Sequence, residues 1–313
     1  MFKYLKSAGK ATFVDRHTKK MNELLTDSVT RQKVKYGLIG APLSKTSISH
    51  SGAAFAPTSI REAMASYSTY SNELEKDFRD LEIVDFGDIV MHPTDLVHSQ
   101  ERIYESISQC LKNYQPHNLI VLGGDHSISY PSLKAIQENY GEVGVIQFDA
   151  HHDLRNLEDG GPTNGTPFRN SIENKVLKGE NIVQIGIRDF TNAKAYHDYA
   201  KAQGVKIYTM QDVYKGNMTK IIKEAIVYLK SRVDYIYLSV DMDVLDQAFA
   251  PGCPAIGPGG MDSLTLLTAV EEAAKYKKVR GIDIVEIDPT LDYRHMTSRL
   301  ASYVIFSYLK GKE

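Results

Sequence analysis

Asp149, His151 and Asp153 stand at alternate positions in the run Asp149-Ala150-His151-His152-Asp153. Side chains at i and i+2 share a face while a chain stays extended, so these three can converge on one point. Carboxylates crowded together repel at neutral pH, and a divalent cation is the simplest neutraliser. A polar strand end is the competing reading, and it weakens because the chemistry recurs. Asp241 and Asp243 repeat the spacing in Asp241-Met242-Asp243-Val244-Leu245-Asp246. His126 follows Gly123-Gly124-Asp125, where the glycines allow a tight strand-to-helix turn. Taken singly, Asp125 and Asp246 read as turn-forming or capping groups. Two imidazoles and four carboxylates exceed what one hard cation needs. They suit two divalent cations about 3.5–4 Å apart that share bridging carboxylates. Oxygen-rich ligation with minority imidazole favours Mn²⁺ over Zn²⁺.

The three clusters need a scaffold that brings them to one edge. Each follows an apolar run: Leu119–Leu122, Val143–Phe148 and Tyr235–Val240. Such runs read as buried strands. Strands are expected at 35–39, 118–122, 143–149, 181–187, 206–208, 235–241 and 279–286, with shorter candidates at 82–85 and 88–90. Helices are expected at 103–111, within 130–140, and at 193–202, 219–230, 264–274 and 298–309. A further helix start is read at Ala56-Pro57-Thr58-Ser59, with Thr58 or Ser59 as its cap. Strand–helix alternation with crossovers of this length implies a three-layer α/β/α domain with a mainly parallel sheet. Ligands in such sheets bind at the carboxyl ends of strands. Residues 1–33 are polar and read as an N-terminal arm making a surface or oligomer contact. Residues 34–313 read as one catalytic domain without repeats or a linker.

The bulk composition narrows the class. A chain of 313 residues with 42% apolar and 24% charged content fits a soluble globular protein. A formal net charge of -2 argues against nucleic-acid binding. No apolar run approaches the length of a membrane span, and the N-terminus lacks the apolar core of a secretory signal. Two distant cysteines, Cys110 and Cys253, fit reduced thiols in a cytoplasmic protein and are too few for a thiolate zinc site. Cys253, between glycine and proline, reads as a small loop residue.

The three clusters also resemble the motifs of the ureohydrolases, the family of arginase, agmatinase and formimidoylglutamase. They stand here as Gly123-Gly124-Asp125-His126-Ser127, Asp149-Ala150-His151-His152-Asp153 and Ser239-Val240-Asp241-Met242-Asp243-Val244-Leu245-Asp246. The resemblance runs from about residue 36 to the C-terminus. It includes Gly52–Arg61 and Val285-Glu286-Ile287-Asp288-Pro289. It implies the arginase-like fold, two Mn²⁺ per subunit and a homo-oligomer. One ion would be held by His126, Asp149, Asp153 and Asp241. The other would be held by Asp149, His151, Asp241 and Asp243, with Asp149 and Asp241 bridging. Asp153 would relay a proton, and Glu286 would pair with the cationic C=N centre of the substrate.

Within the family, the loop from Leu154 to Arg169 and the segment Asp246–Ala255 resemble the formimidoylglutamases. The Gly40–Arg61 segment resembles the bacillus-type enzymes of histidine breakdown. Arg155 lies two residues beyond Asp153, and Arg169 closes the same loop. Guanidinium forks match carboxylates and would repel an ammonium tail. The implied substrate is N-formimidoyl-L-glutamate, split by water to L-glutamate and formamide. Asn164 stands where arginases carry a proton-shuttling histidine, and it can orient but not shuttle. Arg188 reads either as a third anion contact or as a structural ion-pair partner. His152 is expected to point away from the ions by alternation. His50 and Ser51 read as surface loop, and Tyr67 and Tyr70 as packing. The competing functions are an agmatinase or other guanidino-acid ureohydrolase, a two-metal phosphoesterase, and a metal-binding protein without turnover.

Overall fold

The computed structural model describes residues 15–27, 33–47 and 52–313. Its centre is a nine-stranded sheet in which every pairing is parallel. The strands are β1 (Leu25–Thr26), β2 (Tyr36–Ala41), β5 (Ile83–Asp88), β6 (Asn118–Gly123), β7 (Val143–Phe148), β8 (Ile182–Ile187), β9 (Lys206–Thr209), β10 (Tyr235–Asp241) and β11 (Val279–Val285). Between β2 and β5 a short antiparallel hairpin joins β3 (Tyr70–Ser71) to β4 (Lys76–Asp77). The sheet order is β1-β5-β2-β6-β11-β10-β7-β8-β9.

Alternation within the buried strands feeds two cores. On β6, Ile120 and Leu122 face one side while Leu119 and Val121 face the other. The first face is covered by α1 (Ala56–Met64), α6 (Met210–Lys215), α7 (Met218–Lys230), α8 (Ser263–Ala274) and α9 (Met296–Lys312). The second is covered by α2 (Leu96–Tyr114), α3 (Ser129–Tyr140), α4 (Pro167–Glu173) and α5 (Lys194–Ala202). Layers on both faces explain why the central strands are buried throughout rather than alternating with solvent-facing residues. This is the expected three-layer α/β/α architecture.

Several local expectations need correction. In place of the candidates at 82–85 and 88–90 there is one strand, β5, which runs on through Phe86 and Gly87 and stops at Asp88, leaving Ile89 and Val90 beyond it. Neither Thr58 nor Ser59 caps α1. A 3₁₀ turn at Ala53–Phe55 runs straight into the helix, and the Ser59 hydroxyl bonds Ser298 at 2.8 Å instead. Helices α4 and α6 lie where no helix was expected. Residues 15–27 lie against the fold: Met21 and Leu24 are buried, and Leu25–Thr26 pairs with β5 at the sheet edge. His50 and Ser51 fall outside the described residues.

The strands that carry the three motifs end side by side. Between β6 and β7 the chain leaves a gap in the sheet that β11 and β10 later fill. That order puts the carboxyl ends of β6, β11, β10 and β7 next to one another, the place where open parallel sheets bind ligands.

Candidate metal centre

The convergence of the candidate ligands does not come from extended chain. β7 stops at Phe148, and Asp149–Asp153 folds back through bends, with Asp153 in the left-handed region at φ 52. Asp241 ends β10 and caps a 3₁₀ turn, Met242–Val244, by accepting from the Asp243 backbone N–H at 2.8 Å. His126 opens another such turn, capped by Asp125. Strand ends that turn at once keep short side chains pointing back at the sheet edge. The turn before His126 depends on Gly124: a Cβ there would lie 2.1 Å from the Leu43 carbonyl oxygen.

Two sets of side chains converge. His126, Asp149, Asp153 and Asp241 form one, and Asp149, His151 and Asp243 form the other, so Asp149 is common to both among the described residues. His126 Nδ1 lies 2.8 Å from Asp153 Oδ2, 3.1 Å from Asp241 Oδ2 and 3.3 Å from Asp149 Oδ2. None of these contacts has hydrogen-bond geometry, and the buried nitrogen has no hydrogen-bond partner. A ring nitrogen and three carboxylates therefore aim at a shared point rather than at each other, which fits a cation. The other nitrogen of His126 is tied back to Ser239 Oγ at 2.9 Å, and Ser239 donates to Asp283 at 2.8 Å. Hydrogen bonding of the remote nitrogen is the usual way to fix a ligand imidazole. The Phe168 ring packs edge-on against the ring of His126 at 5.4 Å. His151 Nδ1 lies 2.9 Å from Asp243 Oδ2 and 3.5 Å from Asp149 Oδ1.

The electrostatics are those of a site that wants positive charge. Burial and the neighbouring carboxylates push Asp241 well up, and burial then Asp149 push Asp153 to about 6. Asp243 above all drives His151 up to about 12. Asp149 is held below the usual range because the two imidazoles outweigh its burial. Glu286 is buried and pushed to about 8, first by burial and then by Asp125. Its backbone is left-handed at φ 60.

A cavity of about 190 Å³ opens onto the centre. Its lining joins His151, Asp153, Asp241, Asp243 and Glu286 to Arg155 and Asn164. Asn164 Nδ2 donates to Glu286 Oε1 at 3.2 Å, and the His126 backbone N–H donates to the same oxygen at 2.7 Å. Arg155 lies against Gly165 so closely that a Cβ there would sit 2.7 Å from its Cδ. Two other arginines go elsewhere. Arg169 pairs with Glu173 and lies over the Tyr199 ring at 3.6 Å, outside the cavity lining. Arg188 donates to the backbone carbonyls of Gly257 at 2.7 Å and Asp243 at 3.0 Å, so it braces the turn that carries Asp243. Asp246 accepts from the backbone of Ala248, Gly259 and Gly260, which is a loop-forming role. Cys253 is a buried free thiol of the following loop.

Sequence reasoning missed Thr191, Asn192 and Tyr196, which line the cavity from the segment after β8. Asn192 holds the motif turn, accepting from the His152 N–H at 2.9 Å and donating to the Ala150 carbonyl at 3.0 Å. Their only sequence signal is position, just beyond a strand end.

A model of the arginase family matches residues 34–310. The chain belongs to the arginase family. The formimidoylglutamase of Halalkalibacterium halodurans is 59% identical over 302 residues, covering 96% of this chain and 95% of that protein. That of Bacillus subtilis is 47% identical over 310 residues, covering 99% and 97%. The crystal structure of formimidoylglutamase from Bacillus subtilis superposes with a TM-score of 0.94 at 48% identity, over 98% of this chain and 96% of that one. This arginase-family chain is a hydrolase, with a His/Asp cluster able to hold metal. Among the described residues no helix is long and apolar enough to cross a membrane.

Proposed function

We propose that this arginase-family hydrolase is a manganese-dependent formimidoylglutamase, splitting N-formimidoyl-L-glutamate with water into L-glutamate and formamide. The observation that carries the reading is the shared cavity: members of both ligand sets (Asp153 and Asp241 of one, His151 and Asp243 of the other), Glu286 with Asn164, and Arg155 border one space of about 190 Å³. The relatives named formimidoylglutamase support it.

His126, Asp149, Asp153 and Asp241 would hold one Mn²⁺, and Asp149, His151, Asp241 and Asp243 the other. Nitrogen and oxygen ligands with carboxylate in the majority suit this ion. When bound, the pair supplies a water acidic enough to attack near neutral pH. The rest falls to the chain's own groups. Glu286 pairs with the cationic formimidoyl group, and Asn164 holds the Glu286 carboxylate. Water adds to the formimidoyl carbon, and the bond from that carbon to the glutamate nitrogen breaks. Asp153 takes the water's proton and delivers it to that nitrogen, which leaves as an amine only once protonated. Arg155 takes a substrate carboxylate. Arg188 acts through the Asp243 turn, and Arg169 reaches the anionic tail only by leaving Glu173.

The same reading makes residues 34–313 the catalytic domain and 1–33 an arm. It describes a homo-oligomeric cytoplasmic enzyme of histidine degradation, acting on a small molecule without nucleic acid or membrane. The test is substrate ranking. Mn²⁺-loaded protein should show its highest kcat/KM with formimidoylglutamate over agmatine, arginine and guanidino acids. A higher kcat/KM with agmatine would replace the proposal by agmatinase.

A further inference from the structure

Two glutamines sit inside apolar strands on the core side of the centre. Gln147 on β7 is the register partner of Gln184 on β8, and both are fully buried. Burying a carboxamide is unfavourable unless all its polar atoms are paired, so two together need a reason. Their hydrogen bonds run in one direction. Gln147 Nε2 donates to Asp149 Oδ2 at 2.6 Å and to the His151 carbonyl at 3.3 Å. Gln184 Nε2 donates to Gln147 Oε1 at 2.8 Å and to the His152 carbonyl at 2.8 Å. Gln184 Oε1 meets His152 Nδ1 at 2.6 Å, and His152 Nε2 meets His197 Nδ1 at 3.1 Å.

The donor roles close in only one way. A carboxylate accepts and cannot donate, so Gln147 must turn its amide N–H toward Asp149. Its oxygen then faces Gln184, which must present N–H in turn. The Gln184 oxygen faces His152, whose Nδ1 must carry the proton. His152 Nε2 is left to accept from His197. Flipping either amide would set like against like. Every donor in the chain therefore points toward Asp149, the side chain common to both ligand sets. The other carboxylate oxygen, Oδ1, accepts from the His151 backbone N–H at 2.6 Å.

We infer that Gln147, Gln184 and His152 form a positioning chain that fixes the direction in which Asp149 presents its oxygens to both ions. The inference rests on the metal-centre reading above and not on the identity of the substrate. The chain touches no reacting atom, so its members are positioning residues. Its ends are tied to different parts of the site: Asp149 to the ions, and His152 to Asn192 and the cavity wall. A shift of either strand would be felt by both ions together.

Chelator titration of the Mn²⁺-loaded protein tests this, with melting of the same samples after complete metal removal. Gln147→Met keeps the length but removes the donor. It should release Mn²⁺ at a tenfold to hundredfold lower chelator activity, the usual size of such an outer contact. It should also lower the Tm of the metal-free protein, because one Gln184 N–H loses its acceptor. Gln184→Met leaves the Gln147 donor on Asp149 but takes the partners of the His152 Nδ1 and carbonyl. Its metal-free Tm should fall further than that of Gln147→Met, while its metal retention should lie between that of Gln147→Met and that of the parent. A purely structural pair would lose metal in the same order as it loses stability. Metal retention in Gln147→Met within about twofold of the parent, or better than in Gln184→Met, would therefore overturn the inference. If the parent holds no divalent ion, the metal-centre reading falls and takes the inference with it. If it holds Mn²⁺ and the variants lose it while no formimidoylglutamate is cleaved, only the substrate assignment falls and the positioning chain stands.

Discussion

Asp153 and Glu286 both hold left-handed backbone, at φ 52 and φ 60. A side chain there costs about 1–2 kcal/mol, so the surrounding structure must over-determine both. The Asp153 carbonyl accepts from the Arg169 N–H at 3.4 Å, and Glu286 is held by donors from His126 and Asn164. The converging His/Asp cluster was legible because acidic and imidazole groups recur at set spacing after apolar runs. The substrate side was less so. Two arginines in one loop look alike in sequence, but only Arg155 reaches the cavity, because Arg169 meets Glu173 one helical turn later. Replacing Arg155 by alanine should raise KM for formimidoylglutamate about tenfold to hundredfold, the loss of a charge-assisted bond of about 1.5–3 kcal/mol. Bound Mn²⁺, counted by elemental analysis, should not change. An unaltered KM would remove Arg155 from recognition.

At the scale of elements, the buried strands and long helices were readable from apolar runs and periodicity. The pieces that shape the site were not. Helix α4 has only seven residues, and its sequence, Pro167-Phe168-Arg169-Asn170-Ser171-Ile172-Glu173, follows a Gly/Pro-rich loop, so local pattern gives little to find. Yet α4 delivers Phe168, fully buried in the core against the His126 ring. Gln147 and Gln184 are invisible for a different reason: their pairing exists only once β7 and β8 lie side by side. Phe168→Ala should lower stability by about 3–5 kcal/mol through the cavity it leaves. It should also loosen His126, so the variant should need more Mn²⁺ for half-maximal activity. Denaturant unfolding and metal titration measure the two effects. A stability loss with unchanged metal demand would confine Phe168 to packing.

At the scale of the molecule, strand alternation predicted the parallel sheet, but not the order that inserts β11 and β10 between β6 and β7. That order depends on long-range packing, and it is what gathers the motifs. The far end of the fold has its own fastening. The Glu313 side chain takes the Tyr36 hydroxyl at 2.6 Å and pairs with Lys35, joining the end of α9 to the start of β2. Burial pushes the Glu313 carboxyl up, but Lys35 and Tyr36 outweigh it and hold it below the usual range. A lowered carboxyl contributes stability above its unfolded value and loses it as pH falls through the folded one. Stability should thus decline on acidification from near pH 4.5 downward, and Glu313→Gln should flatten that part of the curve. Lys35 is largely solvent-exposed, so the contribution is small. An identical acid limb in both proteins would show that the pair contributes nothing.

In the proposed reaction water adds to the formimidoyl carbon and the glutamate nitrogen leaves. Proton NMR of the products from Mn²⁺-loaded protein and N-formimidoyl-L-glutamate reads this directly. Formamide and L-glutamate should appear in equal amounts, with no ammonia. N-formylglutamate with ammonia would place the cleavage at the other nitrogen, and urea from agmatine with formimidoylglutamate untouched would make the protein an agmatinase instead.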